Sequence, residues 1–99
     1  MNMEGHCHVD VVERNPSLEE LEDISETKLL VSGMGCPNCA LRVRNALILC
    51  QGVVDARVDH VSGQALIRFN PKMVSLGDLI DAVSIAGNGS HHRYVAHTV

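Results

Sequence analysis

Two cysteines three positions apart, in the stretch Gly33-Met34-Gly35-Cys36-Pro37-Asn38-Cys39, are the residues of this chain best suited to chemistry. A glycine-flanked loop running into a helical pattern lets both sulfurs face one ion without straining the backbone. A helix amino terminus also favours the thiolate form that binds metal. Two soft sulfurs with no hard ligand beside them select a soft ion: Cu(I), which accepts two thiolates in near-linear coordination, or Hg(II). Zn(II) and Cd(II) are alternatives. Zinc is disfavoured because it normally takes about four ligands and Gly35, not Asp, stands before Cys36. A dithiol redox couple is the other chemistry open to this spacing.

Further ligand types lie elsewhere. His6-Cys7-His8, with Met1 and Met3, gathers five soft or borderline ligands in eight residues, suited to an auxiliary metal site or to delivering an ion to Cys36 and Cys39. Cys50 falls on the apolar face of a helical pattern and reads as a small buried hydrophobe. His60 and His97 have no partner pattern and are expected to be exposed. Arg42 and Arg44 follow the cysteine pair closely, where they would steer an acidic partner face.

The elements that must position these residues follow from apolar spacing. Lys28 to Ser32 alternates as a strand. From Pro37, suited to a first helical position, Ala40, Val43, Leu47 and Cys50 recur at helical spacing until Gln51-Gly52. Val54, Ala56 and Val58 alternate with Asp55, Arg57 and Asp59, and Ala65, Ile67 and Phe69 alternate with Leu66 and Arg68. The short link His60-Val61-Ser62-Gly63 makes these two strands an antiparallel hairpin. Ser75 caps a second helix carrying Leu76, Leu79, Ile80, Val83 and Ala86 on one face, with Asp78 near its positive end. Gly87 and Gly89 end it, and Arg93 to Val99 is a weaker edge strand. The order strand, helix, strand, strand, helix, strand predicts an α+β, ferredoxin-like βαββαβ fold, with two helices on one face of a four-stranded antiparallel sheet.

Residues 1–26 read as an acidic amino-terminal extension and residues 27–99 as the folded domain. The extension holds eight acids against Arg14 alone, so the net charge of −4 is the sum of an acidic tail and a mildly basic body. Ser17, with Glu20 three residues on, has the form of a capping box opening a short helix whose Leu18, Leu21 and Ile24 form a narrow stripe. This stripe is expected to dock on Leu41, Ile48 and Leu49, bringing Glu19, Glu20 or Glu22 near Arg42 and Arg44. The chain of 99 residues is 45% apolar but only 2% aromatic, which argues against stacking on nucleic-acid bases. It has no run of about 18 apolar residues and no signal-peptide layout, so a soluble cytoplasmic protein with reduced thiols is expected, without membrane insertion.

The motif Gly-Met-Gly-Cys-Pro-Asn-Cys, followed by Ala40, Val43, Ala46 and Leu47 and then Gly52-Val53, resembles the heavy-metal-associated domain of copper chaperones, mercury-binding proteins and metal-exporting ATPases. The resemblance covers residues 27–99. It implies Cys36 and Cys39 as metal ligands and Met34 as a packing residue under the loop. It also implies a carrier or buffer of Cu(I), not an enzyme, that hands its ion to a metal-transporting P-type ATPase or another copper acceptor by stepwise thiolate exchange. Two chains sharing one ion through their cysteine pairs is a further possibility. The fold puts the loop after the second helix beside the metal loop, where the family carries a residue that tunes the site. Asn88 stands at that place here, leaving His91 or His92 as a potential third ligand. The rival resemblance, of Cys-Pro-Asn-Cys to the glutaredoxin motif, keeps a dithiol oxidoreductase as the less favoured alternative, because the first helix leads straight into a hairpin, without another strand-helix crossover.

Overall fold

In the computed structural model, which describes residues 12–35, 37–87 and 93–98, the elements run α1 (Leu18–Leu21), β1 (Ser25–Ser32), α2 (Pro37–Ile48), β2 (Val53–Asp59), β3 (Gln64–Phe69), α3 (Leu76–Ala86) and β4 (Val95–Thr98). The strands form one antiparallel sheet in the order β2-β3-β1-β4. The inward residues of β1 and β3 (Leu29, Val31, Ala65, Ile67 and Phe69) form one core cluster with Val43 and Leu47 of α2 and Leu79 and Val83 of α3. Burial on one sheet face alone is what the two-residue alternation demands, and helices of helical period cover that face. The ferredoxin-like order expected from the sequence is therefore the fold. The end of β1 is tied to the β2–β3 turn by the Val31 N–H donating to the Gly63 carbonyl at 2.6 Å, so that turn lies at the end of the sheet where the cysteine loop begins.

Two local expectations are corrected. β1 starts at Ser25, not Lys28, because its first residues pair with Phe69, Arg68 and Ile67 of β3. Along β2 the register slips between Val53 and Asp55, so Val53 and Ala56 are buried while Val54 is only half-buried; the simple alternation through Val54 is broken by this bulge.

The segment before β1 docks on the body, but not through its apolar stripe. Leu18 is 84% exposed and Leu49 63% exposed, so the expected seam between them is absent. Val12 packs against the core, and the rest of the contact is polar. Arg14 donates from Nη1 and Nη2 to the two carboxylate oxygens of Glu20, at 3.0 and 2.9 Å. Its Nε donates to the Ile48 carbonyl at 2.8 Å, and Nη2 also donates to the carbonyls of Cys50 (3.1 Å) and Val53 (2.7 Å). α2 has no basic residue in its last turn, so Arg14 supplies from outside the cation that its carbonyl end attracts. Glu20, its side chain 2% exposed, accepts in addition from the backbone N–H groups of Ser17 and Gly52. The Ser17–Glu20 capping box that the sequence predicts is thus present, and the same carboxylate serves as the anchor. Asn70 Nδ2 adds a 2.9 Å bond to the Glu19 carbonyl. Neither Arg42 nor Arg44 pairs with Glu20, whose partner is Arg14.

The hydrogen bond from Arg14, joined by those from the Ser17 and Gly52 amides and opposed by burial, holds the Glu20 carboxyl down at about 2 from its ordinary value near 4.5. A carboxylate with a depressed folded-state pKa contributes stability fully present above its unfolded value, and that contribution is lost as pH falls through the folded one. The Glu20 contribution is therefore complete above pH 4.5 and disappears between there and pH 2. Arg14→Ala is expected to lower the unfolding free energy at neutral pH by about 2 kcal/mol. Urea denaturation followed from neutral to acid pH would also show the variant losing less stability in that acid window than the parent. Equal midpoints at neutral pH would mean that the strap adds nothing.

Candidate metal centre

The candidate site sits where β1 ends and α2 begins. Gly33 has φ of +96°, and a Cβ there would lie 2.0 Å from the carbonyl oxygen of Arg93. No other residue type allows this approach, which lays the start of the cysteine loop directly on the backbone entering β4. Met34 is half-buried against the core, as a packing residue beneath the loop would be. Pro37 opens α2, where its missing N–H costs nothing and its fixed φ suits a first turn.

Cys39 follows in that first turn and is 1% exposed, on the core side of the helix. No acid stands in the first turn of α2, so no carboxylate competes for the positive end of the helix and a thiolate is the anion available to it. Cys36, the other half of the pair, lies outside the described residues, as do His6, Cys7, His8, Asn88, His91 and His92. Among the described residues, no group of three or more His, Cys, Asp or Glu gathers closely enough to hold a metal ion.

One residue beside the site was missed by sequence reasoning, which sought the neighbouring group at Asn88, His91 or His92. Tyr94, just before β4, is buried with its hydroxyl against the Cys39 thiol and the Arg42 guanidinium. Burial first, then the contact with Cys39, pushes its phenol up to about 12, against a smaller opposing pull from Arg42. The phenol is therefore a neutral donor at neutral pH, able to give a hydrogen bond to sulfur without adding charge. A signal for it existed: Tyr94 is the chain's one tyrosine, two residues before Ala96 on the inward face of the last strand.

The remaining residues singled out from the sequence divide. Arg42 meets Tyr94, whereas Arg44 donates to the Val12 carbonyl at 2.9 Å and to Asn45 Oδ1 at 3.2 Å. Cys50 is half-buried against the core with its thiol on the Ala46 carbonyl, and burial raises its pKa, which suits a packing role. His97 is exposed as expected, but His60 is half-buried where the β2–β3 turn approaches α2.

A ferredoxin-like sheet with a Cys-x-x-Cys loop at the start of its first core helix defines a class of small metal-binding modules. The chain belongs to one such family: the model of the heavy-metal-associated domain matches residues 28–88. It is 32% identical over 78 residues to the copper-transporting ATPase HMA4 of Oryza sativa subsp. japonica, a match covering 77% of this chain and 8% of that protein. It is 31% identical over 64 residues to the copper chaperone CopZ of Staphylococcus aureus, covering 65% of this chain and 94% of the chaperone. The chain thus spans about a tenth or less of the ATPases it matches and nearly the whole of the chaperone. Among solved structures, a copper-binding domain from HMA7, a P-type ATPase, superposes with a TM-score of 0.67 at 27% identity, over 75% of this chain and 92% of that one.

Gly33→Ala tests the loop anchor. The substitution is expected to cost about 2 kcal/mol or more, from the positive φ and the collision with the Arg93 carbonyl. It should shift the amide resonances of Met34 and Tyr94 while leaving those of β2 in place. Unchanged stability and resonances would mean that the loop is not held there.

Proposed function

We propose that this protein carries or buffers Cu(I) on the sulfurs of Cys36 and Cys39 and passes the ion to an acceptor protein by thiolate exchange. The observation that carries the reading is the position of Cys39, buried in the first turn of α2 behind a loop pinned at Gly33. Membership of the heavy-metal-associated family supports it, as does the similarity to both copper carriers and copper-ATPase domains.

The donor set suits the ion. Two thiolates satisfy Cu(I) at low coordination number, whereas Zn(II) would need ligands from elsewhere in the chain. An incoming thiolate of the acceptor would add to the ion, giving a three-coordinate intermediate, after which one of the two original sulfurs leaves; repetition completes transfer. No bond to carbon or phosphorus is made or broken, so the role is one of carriage and not catalysis. The acceptor that fits this chemistry is a copper-transporting P-type ATPase or another thiolate copper protein in the cytoplasm. Arg42, which meets Tyr94 as Cys39 does, is a cation available near the site to an acidic acceptor face.

Anaerobic competition of Cu(I), Zn(II) and Hg(II) against chelators decides the reading. Tight Cu(I) binding is expected in the wild type. Its affinity should fall in Cys36→Ser/Cys39→Ser by more than the roughly hundredfold that a change outside the ligand set produces. Weak Cu(I) binding beside strong Zn(II) binding would overturn the copper reading.

A further inference from the structure

Three side chains meet at the start of α2, two from the helix and one from the far end of the chain. Cys39 and Arg42 are three residues apart, about 4.5 Å along the helix axis, and so lie one turn apart on one face. Tyr94 reaches the same place from the entry to β4. Ser32 pairs with Val95, and one step further along the two strands Tyr94 stands opposite Gly33. A Cβ on Gly33 would lie 3.5 Å from the Tyr94 Cα, so the backbone that carries the ring is held against the cysteine loop. Tyr94 and Cys39 are each 1% exposed, and Arg42 is half-buried. The Tyr94 hydroxyl lies against both the Cys39 thiol and the Arg42 guanidinium.

Counting donors orders these contacts. An arginine side chain has five N–H donors and no acceptor, so toward the phenol oxygen Arg42 can only donate. A phenol has one hydrogen to place. A sulfur that holds a metal ion is a thiolate, with no hydrogen of its own to give. Turning the hydroxyl toward Arg42 would set hydrogen against hydrogen and leave the thiolate without a donor in a buried place. Turning it toward Cys39 satisfies all three groups.

We propose that Arg42 is a positioning residue for the metal centre: by donating to the Tyr94 oxygen it directs the phenol hydrogen to the Cys39 sulfur and so stabilises the thiolate that holds the ion. The inference rests on the copper reading above and adds to that site a residue that touches no ion. Two features strengthen the bond to sulfur. Its acceptor is charged, which makes a hydrogen bond roughly twice as strong as a neutral one. The two bonds also run in series away from water, so the guanidinium polarises the hydroxyl to which it donates. One N–H of Arg42 is used in this way, and its remaining donors stay available to an acceptor face. Because the effect passes through the phenol, it depends wholly on the Tyr94 hydroxyl. Plain attraction between a cation and a thiolate would not.

That difference sets the test, a double-mutant cycle on the full chain: wild type, Arg42→Ala, Tyr94→Phe and the two changes together. Tyr94→Phe keeps the buried ring and Arg42→Ala keeps a good helix former, and the amide spectrum and urea midpoint of each variant check its fold. In anaerobic chelator competition each single variant should bind Cu(I) about tenfold more weakly, the lower end of the range for losing a partner that orients a metal ligand. In the Tyr94→Phe background, Arg42→Ala should change the affinity by less than about twofold, the non-additivity of two residues acting through one contact. Without metal, the Tyr94 Cζ resonance should move in Arg42→Ala, and the Cys39 Cβ resonance should move in Tyr94→Phe. A tenfold loss from Arg42→Ala that persists without the hydroxyl would overturn the positioning role in favour of direct attraction. Wild-type affinity in Arg42→Ala would overturn it outright. An unmoved Tyr94 Cζ would overturn the contact itself, whatever the copper result. Failure of the wild type to bind Cu(I), with both resonances moving as expected, would overturn the copper reading and leave the order of hydrogen bonds standing.

Discussion

An α-helix exposes unpaired carbonyls at one end and unpaired amides at the other, and both ends of α2 bear on this structure. At the carboxyl end, Arg14 donates to the carbonyls of Ile48, Cys50 and Val53, and Glu20 neutralises it from the opposite side. The carboxylate oxygen that takes Arg14 Nη2 also accepts from the Gly52 amide, where φ is +106° and the chain turns into β2. The amino end faces the other way, with Pro37 at its start and no acid in its first turn. One helix is closed by a cation at its negative end and left to attract an anion at its positive end. The metal-binding proposal uses that polarity.

The core imposes the second condition. With one phenylalanine, one tyrosine and no tryptophan, the interior is filled by valine, leucine, isoleucine and alanine. The loop before α2 is fixed by backbone contact, Gly33 against the carbonyl of Arg93. The buried ring of Tyr94 follows directly in sequence, so the approach that orders the loop also delivers a phenol to Cys39.

The region shared with the family begins at residue 28, so Val12, Arg14, Ser17 and Glu20 lie outside the matched part of the chain. The strap is nevertheless joined to the domain through buried polar contacts, with Val12 packed against the core beside them. A carboxylate that is 2% exposed and bound by a guanidinium and two amides is costly to disturb from either side, because removing one partner leaves the others buried without it. That coupling makes residues 12–24 part of the folded unit.

The sequence by itself determined the order of elements and the one-sided core, and it singled out the cysteine pair as the candidate place of chemistry. Each of these depends on local period or on spacing within a few residues, as with Leu29 and Val31 in β1, Val43 and Leu47 in α2, and Cys36 to Cys39. The Ser17–Glu20 capping box was legible for the same reason. The tertiary structure decided what joins residues far apart. Arg14 and Ile48 are thirty-four positions apart and meet only because the strap folds back along α2, so the sequence offered exposed leucines as the seam where a buried ion pair is the actual one. The bulge that turns Val54 from the core depends on the partner strand, and Tyr94 reaches Cys39 only when β4 pairs beside β1. Periodicity records which face of an element is apolar; it carries no information on which distant carbonyl a guanidinium will find, because that is set by how whole elements pack.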